Sequence, residues 1–332
     1  MVTLNIYSII KMKRFPKRNY LRKTKVSFFN RSQRHFSQHL NIDIIGPLFK
    51  ITRKDEKHYN FQYNDGLNIL DTPFNNDDDH CTPGKLYFSD SKNICKYLGF
   101  GDNLRKIYLP IDNPDFKMTK CLYGEKYGAN MLIFGEKFDL DKVETYQKMI
   151  LMDIDIRAGN DNAMIIAAQK GNLEIVKFLV ESGANVKSQD NCAVRLASEF
   201  GHLDVVEYLY KSGANVKADG NYAITWACKN GHLPIIKFLT SVGADIKAGQ
   251  NLPIKMAAIG GHLNVIKYLV DRGANISTDN DYVFNIACRN GHSDLAEYAV
   301  SLGADIFSDG CYGIDHAIRY NHYKIVDKFI GT

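Results

Sequence analysis

With 332 residues, 45% of them apolar and 24% charged, the chain has the composition of a folded globular protein and the length for two domains. Seven cysteines without a C-x-x-C pair argue against a disulfide framework and for a reducing compartment. No apolar run approaches the roughly 18 residues that a membrane-spanning helix needs, so no membrane partner is expected. The formal net charge of +5 hides an asymmetry, because residues 1–42 hold ten Lys or Arg and no acid, which leaves the remainder at −5.

That basic leader, 1–42, runs from Lys11 through Lys25 to Arg34 and lacks sustained periodicity. Three readings stay open: a disordered, dispensable tail; an organelle presequence, acid-free and carrying Ser27, Ser32 and Ser37; or a nuclear-localisation or nucleic-acid patch. A secretory signal is disfavoured because the apolar run Leu4 to Ile10 precedes the charges. The expected location is intracellular, cytoplasmic unless the leader is a targeting signal for the nucleus or an organelle. Nucleic acid is not expected as a partner except through this leader.

Residues 43–140 read as a small α+β domain of unknown function. Ile44 to Ile51 and Asn60 to Tyr63 are short strands, and Asn64-Asp65-Gly66 is a turn signal. A polar loop, Asn75 to His80, precedes Cys81-Thr82-Pro83-Gly84. Leu86-Tyr87-Phe88 predicts a strand, and Ser89 to Leu98 a helix with Ile94, Cys95 and Leu98 on one face. Leu104 to Leu109 alternates as a strand that stops at Pro110, and Met131 to Phe134 is a last, buried strand. Residues 141–160 form a bridge. There Val143 to Leu151 is helical in pattern, and Asp153-Ile154-Asp155-Ile156-Arg157 stands 30 residues before Gly183-Ala184-Asn185-Val186-Lys187. This spacing predicts a lone second helix capping a stack.

From 161 to 332 the chain repeats every 30 residues, in six units: 161–189, 190–219, 220–249, 250–279, 280–309 and a truncated 310–332. Gly183, Gly213, Gly243, Gly273 and Gly303 each precede Ala, then Asn or Asp, then Val or Ile. Twelve residues earlier stand Gly171, Gly201, Gly231, Gly261 and Gly291, and the last four of these are followed by His202, His232, His262 and His292. Alanine recurs at Ala167, Ala197, Ala227, Ala257, Ala287 and Ala317. Each unit predicts two short helices. The glycines sit where a left-handed backbone is needed, and Asn321 is the best non-glycine substitute. Such a unit cannot bury its apolar face alone and must stack into a solenoid. The second helix of the fifth unit carries Ser293, Ala296 and Ala299 where its neighbours carry Leu, Ile or Val and Leu, which predicts reduced burial and a soft end to the stack.

Gly201-His202-Leu203-Asp204-Val205-Val206-Glu207-Tyr208-Leu209 with Ser212-Gly213-Ala214-Asn215-Val216 resembles the ankyrin repeat. The resemblance covers 172 residues. It departs from the family at the first helix, where Cys192-Ala193-Val194-Arg195 and its equivalents replace T-P-L-H and only Pro253 keeps the proline. The period is three residues shorter than the family's, and the missing residues fall where its β-hairpin finger is built, so each finger is expected to shrink to a tight loop. The segment from Phe61 to Ile133 resembles the N-terminal region of giant-virus ankyrin proteins. The fold class expected is therefore mainly α, an ankyrin-type helical solenoid preceded by a small α+β domain.

No catalytic constellation stands out. The repeated histidines lie a whole repeat apart, Asp77 to Cys81 offers ligand types in consecutive positions that cannot all face one ion, and Gly99-Phe100-Gly101 lacks the third glycine of a dinucleotide loop. Neither a cofactor, a metal nor a small-molecule substrate is expected. The function expected is a non-enzymatic interaction scaffold with a protein partner on the repeats, engaging host factors if the chain is viral. The alternative is that the repeats deliver residues 43–140 as an effector or enzyme. In the ankyrin family, partner contacts come from the first helices and their ends, which implies Arg195, Glu199, Phe200, Thr225, Lys229, Asn230, Lys255, Ile259, Asn285, Arg289, Arg319 and Tyr320 as contact residues.

Overall fold

The computed structural model describes residues 46–331 except 59, 78–81 and 123–124. The basic leader, and most of the Asp77 to Cys81 loop, lie outside the described residues.

Nine strands precede the repeats among these residues: β1 Leu48–Thr52, β2 Lys57–His58, β3 Phe61–Gln62, β4 Gly66–Ile69, β5 Leu86–Asp90, β6 Asn103–Tyr108, β7 Met118–Lys120, β8 Lys126–Ala129 and β9 Met131–Asp139. Seven of them form an antiparallel sheet in the order β4-β9-β6-β1-β5-β8-β7, and β2–β3 is a separate hairpin. The helix expected from Ser89 begins later, as a 3-10 helix, η1, over Ile94–Phe100. Ser89 and Asp90 instead extend β5, where they pair with Phe49 and Leu48.

A register shift where β6 meets β9, between Arg105 and Ile107, decides which faces the sheet buries. Side chains alternate across a strand, so one extra residue exchanges the faces beyond it. Leu104 and Phe138, with Phe49, face the repeats, whereas Ile107 and Phe134 join Leu48, Phe88 and Tyr127 in a second core on the opposite face. The first of these cores runs without interruption from Phe49 through the whole stack to Ile325.

The repeats follow as helix pairs: α1 Val143–Leu151 alone, then α2 Ala158–Gln169 with α3 Leu173–Glu181, α4 Ser188–Phe200 with α5 Leu203–Lys211, α6 Ala218–Lys229 with α7 Leu233–Ser241, α8 Ala248–Gly260 with α9 Leu263–Val270, α10 Thr278–Asn290 with α11 Ser293–Ser301, and α12 Ser308–Arg319 with α13 Tyr323–Phe329. The capping helix α1 is not partnerless as the sequence suggested. η1 packs on α2 as one first helix packs on the next, and α1 packs on α3 as a second helix does. Asn162 Nδ2 donates to the carbonyl of Cys95 at 2.9 Å, fixing η1 on the stack. The capping repeat is thus assembled from two segments that are separated in sequence by β6 to β9.

The shortened fingers take one specific form. At the start of each first helix, three consecutive residues adopt left-handed backbone, for example Gln189, Asp190 and Asn191 at φ 50°, 53° and 59°. Left-handed turns cost most L-residues about 1–2 kcal/mol per residue. Fifteen of the eighteen residues concerned are Gly, Asn or Asp, the types that meet this cost best. Two of their side chains also tie the start of a first helix to the loop that closes the same repeat: Asn191 Oδ1 accepts from the Asn215 N–H at 2.7 Å and Asn221 Oδ1 from the Asp245 N–H at 3.0 Å.

In the fifth repeat, where the second helix was expected to bury less, the first helix carries a larger side chain. Phe284 stands where other units place Val194, Ile224 and Ile254, is fully buried, and meets Phe329 edge to face at 5.5 Å between ring centroids.

Candidate partner-binding surface

The alanine ladder draws the first helices together. Ala167, Ala197, Ala227, Ala257, Ala287 and Ala317 are all buried, and successive first helices approach far more closely than successive second helices. A stack with one layer more closely spaced curves towards that layer, so the first helices form its inner side. At Gly260 the approach is close enough that a Cβ would run into the carbonyl of Lys229. The histidines lock the spacing. His202, His232, His262, His292 and His322 direct Nε2 to carbonyls of the preceding first helix, with His232 3.0 Å from the oxygen of Glu199.

The side of the first helices turned away from the second helices carries a half-exposed row of large side chains: Leu196, Tyr222 with Trp226, Leu252 with Met256, Tyr282, and Tyr312 with His316. Positions four apart lie on one helix face. Tyr222 and Trp226 accordingly stack at 5.4 Å, and Tyr312 and His316 at 4.0 Å. Cations cover the rings. Arg195 lies 4.8 Å from the Tyr222 centroid and Lys229 4.1 Å from that of Trp226. Arg195 also pairs with Asp219 at 2.6 Å, and Lys255 pairs with Asp279, so these two cations are held by the start of the following first helix. The Tyr222 hydroxyl donates to Glu199 Oε2 at 2.8 Å; burial, reinforced by that carboxylate, pushes its pKa up to about 12.

Ten of the twelve residues implied by the sequence lie at least partly exposed on this side or at its rim. Phe200 and Tyr320 are the most open of the aromatics among them, at 48% and 50%. Asn230 Nδ2 is committed to the Glu199 carbonyl at 2.7 Å, and Arg289 donates to the Tyr312 hydroxyl at 3.2 Å. Thr225 and Asn285 are corrected: both are buried. They share a helix position with Arg195 and Lys255, but that position faces the seam between first helices. Long side chains reach out of the seam, while short ones stay in it. Asn285 accepts from the Gly313 N–H at 3.0 Å and donates to the Asn280 carbonyl at 2.9 Å, which makes it a brace between repeats. The aromatic row itself was not singled out from sequence. Its signal was the return of tyrosine at 222, 282 and 312, with the only tryptophan, Trp226, four residues after the first.

Among the described residues no group of His, Cys, Asp and Glu could hold a metal ion, and no helix is long and apolar enough to cross a membrane. Cys95, Cys228 and Cys288 are buried thiols whose pKa burial raises.

Comparison with known proteins places this geometry in context. The profile for ankyrin repeats (three copies) matches residues 130–219 and 215–280, beginning ahead of the first complete helix pair. A putative ankyrin repeat protein of Acanthamoeba polyphaga mimivirus is 49% identical over 138 residues, covering 41% of this chain and 68% of that protein. An uncharacterized protein of the same virus is 50% identical over 133 residues, covering 40% of this chain and 96% of its own.

Proposed function

Because the chain belongs to the ankyrin repeat family, we propose that it is a non-enzymatic scaffold holding a protein partner along the inner face of its stack. The observation that carries this reading is the half-exposed row centred on Tyr222 and Trp226, flanked by Lys229 and by Arg195, which Asp219 of the next first helix holds in place. Rigid aromatic anchors with oriented cations are what interface hot spots are made of. The residues that contribute with them are the exposed members of the implied set, notably Arg195, Phe200, Lys229, Lys255 and Tyr320. The mimivirus relatives direct the search for the partner to host proteins. Free cysteines at 95, 192, 228, 288 and 311 suit action inside a cell, where thiols stay reduced.

The test is affinity capture from host-cell extract with the full chain, comparing wild type with the Tyr222→Ala/Trp226→Ala pair and with Tyr268→Ala on a second helix. Proteins retained by wild type and Tyr268→Ala but lost by the pair are expected. Retention by all three proteins alike would remove the inner face from consideration.

A further inference from the structure

Where the sheet meets the stack there is a groove of about 770 Å³, lined by Arg53 and Lys54 at the end of β1, Leu98 and Phe100 of η1, Ile166 of α2 and Phe200 of α4. Two of its walls are large exposed rings, Phe100 at 73% and Phe200 at 48% exposure. The first ring is displayed on a rigid support. At Gly101 a Cβ would collide with the Thr52 carbonyl, so the loop lies directly on the end of β1. The Asp102 N–H donates to Thr52 O at 2.9 Å and the Asp102 carbonyl accepts from Leu140 N at 2.9 Å. Lys170 Nζ then bridges Asp102 at 3.1 Å and Asp141 at 3.0 Å, tying the loop to the first repeat.

The charges at the rim are not balanced in the same way. Asp102 is neutralised by Lys170, and Asp55 is engaged by the Lys57 N–H at 2.9 Å. Arg53 and Lys54 make no ion pair among the described residues. An apolar slot between two rings, with uncommitted cations on one side, is complementary to an apolar side chain flanked by carboxylates. A nucleic acid strand would ask more of the surface. It needs a cationic track along its backbone, whereas residues 161–332 hold 16 Lys or Arg against 18 Asp or Glu.

We propose that this groove is the anchor subsite for an acidic peptide segment of the partner, which seats an aromatic or leucine side chain between Phe100 and Phe200 and turns its carboxylates to Arg53 and Lys54. The assignment rests on the interaction-scaffold reading and adds to it a place and a ligand chemistry. The sheet is then part of the recognition surface, and the stack alone has half a site.

A displayed library of random short peptides, panned on the full chain, tests it. Enriched peptides are synthesised with a fluorescent label and titrated by anisotropy against wild type, Phe100→Ala, Arg53→Glu/Lys54→Glu and Trp226→Ala. A labelled oligouridine is titrated in parallel. The expected peptides carry Asp or Glu around one aromatic or Leu, and weaken about tenfold or more with Phe100→Ala and with the charge reversal. Phe100 is open to solvent and both cations are on the rim, so thermal melts of these variants should match wild type. Acid-free consensus peptides, or affinities unmoved by both groove variants, overturn the proposal. If such peptides respond to Trp226→Ala alone, the inner-face scaffold stands and the groove falls. If no peptide is enriched, both readings fail, and oligouridine binding that depends on Phe100 replaces the peptide with a nucleic acid.

Discussion

The imidazole of His232 occupies the space that a side chain at Gly201 would need: a Cβ there would stand 2.7 Å from the ring's Cε1. The same relation links His202 to Gly171, His262 to Gly231, His292 to Gly261 and His322 to Gly291. The glycine of one repeat and the histidine of the next are therefore one device, which sets the spacing of the stack through steric fit and through the Nε2 contact to the preceding helix.

This separates two glycines that look alike in backbone. Gly201 and Gly213 have φ 91° and 96°, yet nothing lies within 4 Å of a Cβ on Gly213. Gly213→Ala should cost about 1 kcal/mol, the usual charge for a left-handed non-glycine residue. Gly201→Ala should cost about 2 kcal/mol more, because the ring of His232 must move as well. Urea denaturation of both variants decides it, and equal losses would show that the ring does not hold this position.

The left-handed turns make the opposite kind of forecast. Gln250 sits at φ 59° and is exposed, one of three residues in these turns that are not Gly, Asn or Asp. Replacing it with Gly should stabilise by about 0.5–1 kcal/mol through relief of backbone strain. Asn221→Gly keeps the backbone but gives up the bond to the Asp245 N–H, so it should destabilise by about 1 kcal/mol. A loss of stability in Gln250→Gly would contradict the left-handed assignment.

How much of this was legible from sequence depended on whether a feature repeats. The period, the helix pairs and the short loops were plain because glycine and alanine recur at fixed offsets, and Asn321, at φ 63°, adopts the expected left-handed backbone. The handedness of the loops was also written there, in the Gly, Asn and Asp that fill most of positions 189–191 and their equivalents, but it takes the missing finger to make those residues consecutive. In the sheet, a strand over Leu86 to Phe88 and an alternating one over Leu104 to Leu109 were visible, although Ser89 and Asp90 read as the start of a helix. Met118–Lys120, Lys126–Ala129 and Gly66–Ile69 are too short to show a period, and the last begins on the glycine of the Asn64-Asp65-Gly66 turn. The site was less legible. Whether Thr225 or Arg195 reaches the surface depends on the gap between two helices, and the junction groove brings together Phe100 and Phe200, a hundred residues apart.

At the far end, Phe284 is fully buried in the repeat whose second helix carries Ala296 and Ala299. Phe284→Ala should therefore destabilise by about 3–5 kcal/mol, at the upper end of core truncations, and Ile224→Ala by somewhat less. Amide hydrogen exchange adds a local readout. In wild type residues 293–300 should be protected about as well as 233–240, and in Phe284→Ala they should exchange faster. Poor protection in the wild type would restore the expectation of a soft last turn of the stack.

The last prediction concerns Lys50, buried on the far face of the sheet with its Nζ 4.8 Å from the Tyr63 ring centroid and donating to the Tyr87 carbonyl at 2.7 Å. Burial, and after it repulsion from Lys126, lowers its pKa from 10.5 to about 7. Between those values the unfolded chain holds a proton that the folded chain has released, so stability rises with pH across the window and is lowest at and below pH 7. From pH 7 to 9 the gain from this one group should be about 2 kcal/mol. Lys50→Met removes it. The variant also loses the bond to Tyr87 O, a cost nearly the same at both pH values, so the difference in slope isolates the charge. A second consequence follows at acid pH. His58 is held neutral, its pKa lowered to about 4 by burial first and then by Lys50, Arg53 and Lys126. Its contribution is complete above its unfolded value of 6.5 and is lost as pH falls towards 4. With Lys50 replaced by Met, one of the repelling charges is gone, His58 should titrate higher, and the loss below pH 6.5 should become shallower. Urea midpoints at pH 5, 7 and 9 for the two proteins measure both effects. Parallel curves across that range would mean that Lys50 keeps its charge in the folded protein.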